Sequence, residues 1–159
     1  MSLGGWFRQR PLEIRRAKPD DAPGCALIHQ SSFARGWSSI EFESLISEAT
    51  VIAHAAASRR GEIAGFSLCR IAADEAEIIS IAVAANARRQ GFGQRLLSAQ
   101  IAELQRLPVA ALFLEVEAGN QAARQLYARM AFQEAGRRKA YYGSASGPPA
   151  DALILKRRL

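Results

Sequence analysis

Two spacings of apolar residues alternate along the chain, and the switches between them mark its elements. Leu12-Glu13-Ile14-Arg15 has the period of two expected of a half-buried strand. Pro19-Asp20-Asp21 then offers turn and N-cap chemistry for a helix to about Ser32, with Ala26, Leu27 and Phe33 on its apolar side. Ser38-Ser39-Ile40-Glu41 has the spacing of a capping box, in which the Ser38 hydroxyl caps while Glu41 reaches back. A second short helix should run from there to about Glu48. Residues 50–58 begin β-prone and become alanine-rich. Arg59-Arg60-Gly61-Glu62 supplies a turn, and residues 63–72 return as the second arm of a hairpin. Asp74-Glu75 marks another turn before an apolar strand, Ile78-Ile79-Ser80-Ile81-Ala82-Val83.

The second half repeats the switch. From Gly93 onward Leu96, Leu97, Ile101 and Leu104 recur at helical spacing, and the helix must stop before Pro108. Residues 111–116 form a short buried strand, and Asn120 caps a helix whose Ala123, Leu126, Tyr127 and Met130 share one face. Residues 134–142 and 152–156 read as paired strands. Between them, Gly143-Ser144-Ala145-Ser146-Gly147-Pro148-Pro149 suits only a loop. No internal repeat and no long linker interrupts this order. A strand–helix–strand–helix–strand middle predicts one α/β domain, residues 12–159, behind an N-terminal tail, residues 1–11.

Composition narrows the partners. The 159 residues fit one domain, and 49% hydrophobic with 23% charged residues is ordinary for a soluble protein with a full core. A formal charge of +6 makes anionic ligands plausible. The charge comes in short groups such as Arg15-Arg16, Arg88-Arg89, Arg137-Arg138-Lys139 and Lys156-Arg157-Arg158, most of them read as solvated faces. A nucleic-acid module would pair a basic stripe with stacking aromatics or a known binding fold, and neither is evident. Cys25 and Cys69 are too isolated for a disulfide framework and read as small core residues. With only His29 and His54 besides, no metal-ligand spacing occurs. No run approaches the ~20 apolar residues of a membrane span, and the first residues lack a signal-peptide core, so the cytoplasm is the expected compartment.

The most informative segment is the turn after residue 83. The strand ending in Val83 runs into Arg88-Arg89-Gln90-Gly91-Phe92-Gly93, and a helix follows. The first turn of a helix leaves backbone N–H groups unpaired under the positive end of the macrodipole. Glycines let that backbone approach a phosphate closely. The motif Arg88-x-x-Gly91-x-Gly93 after such a strand resembles the acetyl-coenzyme A pyrophosphate loop of the GNAT acetyltransferases. Leu114-Glu115-Val116 with Asn120, Leu126-Tyr127 and Phe132 is similar to the second half of that family's cofactor region. Arg35-Gly36-Trp37-Ser38 resembles its acceptor-side Trp-Ser element, and Arg138-x-x-Tyr141-Tyr142 its late pair of tyrosines. Together these segments resemble the RimI type, which acetylates the N-terminal alanine of a small-subunit ribosomal protein.

The resemblance covers residues 12–159 and implies a GNAT fold, a mixed sheet of six to seven strands with about four helices. It implies acetyl-CoA as cosubstrate and no metal. It assigns Glu115 as general base and Tyr127 as the proton donor to the departing thiolate. Ile81, Ala82 and Val83 would hold pantetheine in a splay between strands, the Val83 N–H facing the oxyanion. Arg88, Arg89, Gln90, Gly91, Phe92 and Gly93 would cradle the pyrophosphate through backbone N–H groups. Asn120 would touch the pantetheine arm. Trp37, Tyr141 and Tyr142 would line a peptide groove. The acceptor implied is a protein N-terminus, with no membrane, no required nucleic acid, and a monomer or weak dimer. Glu115 lies in the apolar run Ala111-Leu112-Phe113-Leu114, where burial is expected to help it act as a base. Many relatives have Pro where Ala85 stands and Gly where Ala131 stands. Two other functions remain open: acetylation of a small amine, and a basic RNA-associated domain with a degenerate coenzyme A site. Few carboxylates near Trp37 disfavour a polycationic acceptor, and intact Glu115 and Tyr127 disfavour degeneration.

Overall fold

In the computed structural model, residues 11–142 and 150–159 are described, with side chains described outside residues 140–149. The expected loop at residues 143–149 and all but residue 11 of the expected tail lie outside this set. Strands β1 (Leu12–Arg16), β2 (Val51–Ser58), β3 (Ile63–Ala72), β4 (Glu75–Val83), β5 (Ala111–Glu117), β6 (Gln133–Tyr142) and β7 (Ala150–Arg158) form one sheet in the order β1-β2-β3-β4-β5-β7-β6. Helices α1 (Ala22–Ser32) and α2 (Ser39–Ser47) cover one face, and α3 (Phe92–Leu104) and α4 (Gln121–Arg129) cover the other. The expected mixed α/β sheet is present, with seven strands and four α-helices among the described residues.

Every neighbouring pair is antiparallel except β4 and β5, which run parallel for three rungs, Glu75↔Ala111, Ala76↔Leu112 and Glu77↔Phe113. Beyond Glu77 and Phe113 the two strands part. β4 continues against β3 as far as Val83, and β5 continues against β7 as far as Glu117. The sheet is therefore split at its centre, with one free strand edge on each side of the gap.

A bulge re-aims β4 just before that gap. Leu68 pairs with Ser80 and Cys69 with Ile78, so Ile79 is the extra residue. A bulged residue shifts the alternation of faces by one. Ala76, Ile78 and Ile81 accordingly join the core under α3 and α4, whereas Ile79 and Ala82 join the core under α1 and α2.

The helix caps follow local chemistry. The Ser38 hydroxyl accepts the Glu41 N–H at 3.2 Å, and the Ser38 N–H donates to the Glu41 carboxylate at 2.7 Å, which is the predicted capping box. Asp21 departs from the sequence reading: it precedes α1 but does not cap it. Its carboxylate takes two bonds from the Arg15 guanidinium, 2.7 and 2.9 Å, and one from the Lys18 N–H at 2.7 Å. Leu27 and Phe33 also depart, at 71% and 42% exposed. The buried residues of α1 are Ala22, Cys25, Ala26, Ile28 and His29: an i, i+3, i+4, i+7 stripe widened by Ile28. The stripe on α3 is as expected, with Leu96, Leu97, Ile101 and Leu104 buried. It also carries the fully buried Gln100, whose amide donates to the carbonyls of Ile52 and Ser67 and ties the helix to β2 and β3.

The end of α4 is a Schellman motif built without glycine. The Phe132 N–H reaches the Tyr127 carbonyl at 3.0 Å, the Ala131 N–H reaches Ala128 at 3.1 Å, and the rings of Phe132 and Tyr127 meet at 5.7 Å. Ala131 holds the left-handed position, φ +66°. That conformation costs a non-glycine residue roughly 1–2 kcal/mol, of which glycine's greater freedom in the unfolded chain takes back a part. Ala131→Gly is thus expected to stabilise the fold by up to about 1 kcal/mol. Urea unfolding checks it, and a lowered midpoint would contradict the reading.

Candidate active site

The parted strands and the start of α3 enclose the site. After Val83, a 3-10 turn at Ala85–Ala87 leads into the glycine turn. Arg89 and Gly91 are both left-handed, φ +61° and +82°. Left-handed positions set among ordinary ones turn backbone N–H groups into anion-binding nests, here joined to the N-terminus of a thirteen-residue helix. A Cβ added to Gly91 would meet nothing within 4 Å, so the glycine serves the backbone angle and faces open space. Gly93 is different: a Cβ there would come within 3.3 Å of Leu126, so this glycine also lets α3 approach α4. Open space beside a nest at a helix start fits the pyrophosphate that the resemblance implied.

Asn120 caps α4, its side-chain oxygen accepting the Ala123 N–H at 3.2 Å. The cap uses the oxygen and leaves the amide NH2 for a ligand. Tyr127 is buried in the core cluster that also contacts Ile81, with its ring edge-on to Phe132.

Glu115 corrects the sequence reading. Along β5 the alternation sends Leu112, Leu114 and Val116 into the core under α3 and α4, so Phe113, Glu115 and Glu117 point the other way. The Glu115 side chain is 22% exposed and pairs with Arg138 at 3.2 Å. Its environment is a strand end beside the gap, with a guanidinium on it, not an apolar interior. Sequence placed Arg138 in a motif but gave no sign that it would meet Glu115, since the contact depends on β7 lying between β5 and β6.

On this same sheet face Trp37 packs at the rim of the core that includes Ile79, Ala82 and Ala84. Its ring stacks on His29 at 4.3 Å, and its backbone N–H donates to His29 Nδ1 at 3.0 Å. That bond requires His29 Nδ1 unprotonated, and burial pulls the His29 pKa below its ordinary value. His29 thus fixes the segment carrying Trp37, a role that nothing in its sequence context announced. The side chains of Tyr141 and Tyr142 lie outside the described residues. Among the described residues no His, Cys, Asp or Glu group could hold a metal ion, and no helix is long and apolar enough to cross a membrane.

The comparisons with known proteins agree with this geometry. A model of the acetyltransferase (GNAT) family matches residues 22–132. The ribosomal protein bS18-alanine N-acetyltransferase of Escherichia coli strain K12 is 37% identical over 142 residues, 89% of this chain and 94% of that protein. The corresponding protein of Salmonella typhimurium is 36% identical over 135 residues, 85% of this chain and 89% of that one. The crystal structure of the Escherichia coli ribosomal-protein-S18-alanine N-acetyltransferase superposes with a TM-score of 0.84 at 34% identity, covering 93% of this chain and 94% of that one.

Proposed function

We propose, from the premise that the chain belongs to the GNAT family of acetyltransferases, that it acetylates the N-terminal α-amine of a protein, with alanine first. It is an acetyl-CoA-dependent N-acetyltransferase. The observation that carries the site assignment is the gap between β4 and β5. It has an anion nest at the start of α3, Glu115 on its β5 side and the Trp37 segment on the same sheet face as Glu115. The acceptor class rests on the likeness to the bS18-alanine N-acetyltransferases, and a small-subunit ribosomal protein is the proposed natural acceptor.

Acetyl-CoA supplies the activated acetyl thioester when bound. The nest at residues 88–93 and the first turn of α3 would hold its pyrophosphate, with Ile81, Ala82 and Val83 along the β4 edge holding the pantetheine arm as an added strand. Asn120 would bond that arm. Glu115 would take the proton that the attacking amine must lose, and Tyr127 would return one to the departing thiolate. The Val83 N–H would face the charge that develops on the acetyl oxygen.

Amine chemistry favours the α-amine. At pH 7 about 10% of an α-amine is unprotonated, against less than about 0.1% of a lysine side chain. A site whose base is one partly exposed carboxylate suits the easier proton. The test is a panel of peptides and amines incubated with acetyl-CoA, each product located by mass spectrometry. A peptide beginning with Ala should be acetylated at its α-amine, and the same peptide blocked there but carrying lysines should be a poor substrate. Preferential acetylation of spermidine or of internal lysines would overturn the N-terminal reading while leaving the family membership intact.

A further inference from the structure

Arg88 opens the motif assigned to the pyrophosphate, yet its side chain is engaged elsewhere. Its Nε donates to the Val83 carbonyl at 3.0 Å, and its Nη2 reaches the Ser32 hydroxyl at 3.5 Å. One edge of the guanidinium therefore joins three parts of the site. They are the cofactor loop that carries it, the last residue of β4, and the last residue of α1. Each needs fixing. β4 has lost β5 as a neighbour beyond Glu77, and its last rung to β3 is Gly65↔Val83. Ser32 ends α1 and begins the stretch that leads to Trp37 on the acceptor side. Lysine could not do the same, because only the planar fork offers two donors side by side.

We propose that the Arg88 side chain is a positioning group for acetyl transfer, clamping the end of β4 to the end of α1, and that the pyrophosphate is held by the backbone of this loop without it. The proposal rests on the site reading above. It deepens that reading by separating Arg88 from the cofactor contacts. Arg88 touches neither reacting atom. It fixes the carbonyl of the residue whose N–H is assigned to the oxyanion, and it sets how the acceptor segment meets the strand end.

The experiment compares wild type, Arg88→Ala, Arg88→Lys and Ser32→Ala with two acetyl donors, acetyl-CoA and S-acetylpantetheine, the second lacking the pyrophosphate. The readouts are kcat and KM on an Ala-initiated peptide, and the Kd for acetyl-CoA measured without acceptor. Arg88→Ala and Arg88→Lys should lower kcat by about tenfold or more, within the roughly 10²-fold that a 1 Å misplacement can cost. The factor should be the same with both donors, and Kd should move less than about twofold, the pattern of a loss confined to the transition state. Ser32→Ala should lower kcat in the same direction by less. A loss seen with acetyl-CoA but not with S-acetylpantetheine, or a Kd raised tenfold, would make Arg88 a phosphate ligand and overturn the proposal. Unchanged kcat in all variants would overturn it too. The wild-type rate on the peptide tests the N-terminal reading by itself. The Kd comparison needs no acceptor and bears on Arg88 alone.

Discussion

Glu115→Gln is expected to lower kcat/KM by roughly 10²–10⁴-fold at or below neutral pH, the range typical for removal of a general base. Glutamine keeps the shape of the side chain and cannot take a proton. The pH dependence gives the loss its signature. An α-amine titrates near 7.7–8.0, so below that range nearly every acceptor must be deprotonated on the enzyme, and well above it most arrive free. The deficit of the mutant should therefore shrink as pH rises through about 8. Folding should hardly change. The ion pair with Arg138 is half in water, its side chains 53% and 22% exposed, and such pairs contribute about 0–1 kcal/mol. Initial rates on an Ala-initiated peptide across pH, with a melting curve as control, decide the matter. Wild-type rates with a wild-type profile would remove Glu115 from the role of base.

What could be read from the sequence divides by range. The Ser38–Glu41 box was legible because both of its bonds close within four residues. The glycine turn was legible for a similar reason, since a strand, a left-handed glycine and a helix start are consecutive in the chain. The surroundings of Glu115 were not legible, because strand alternation tells which residues oppose each other but not which face stays open. Leu114 and Glu115 are neighbours in sequence and lie on opposite sides of the sheet. The bulge at Ile79 and the bond from Arg88 to Val83 were hidden too. Nothing in an apolar run marks its extra residue, and an arginine beside a phosphate motif is naturally assigned to the phosphate. Leu27 illustrates the same limit from the other side: an apolar residue on a helix was assumed to face the core, and α1 buries its alanines, Cys25, Ile28 and His29 instead.

The nest before α3 offers the other large effect. Acetyl-CoA at a hundred times its Kd should stabilise the folded chain by about 2.7 kcal/mol, or very roughly 5–10 °C in Tm for a domain of this size. Gly91→Glu should abolish that shift. At φ +82° with open space where a Cβ would stand, the new side chain is not excluded by the fold and extends into the space assigned to phosphate. Its carboxylate would carry like charge to the ligand and could itself sit on the unpaired N–H groups of the helix start. The left-handed angle alone would cost the variant roughly 1–2 kcal/mol, so its own Tm falls and only the ligand-induced shift is informative. Gly91→Asn separates the causes, since asparagine tolerates the left-handed region and brings no charge. It should keep a reduced shift where glutamate keeps none. An undiminished shift in Gly91→Glu would mean that the phosphates lie elsewhere, and the nest would then be only the turn that starts α3.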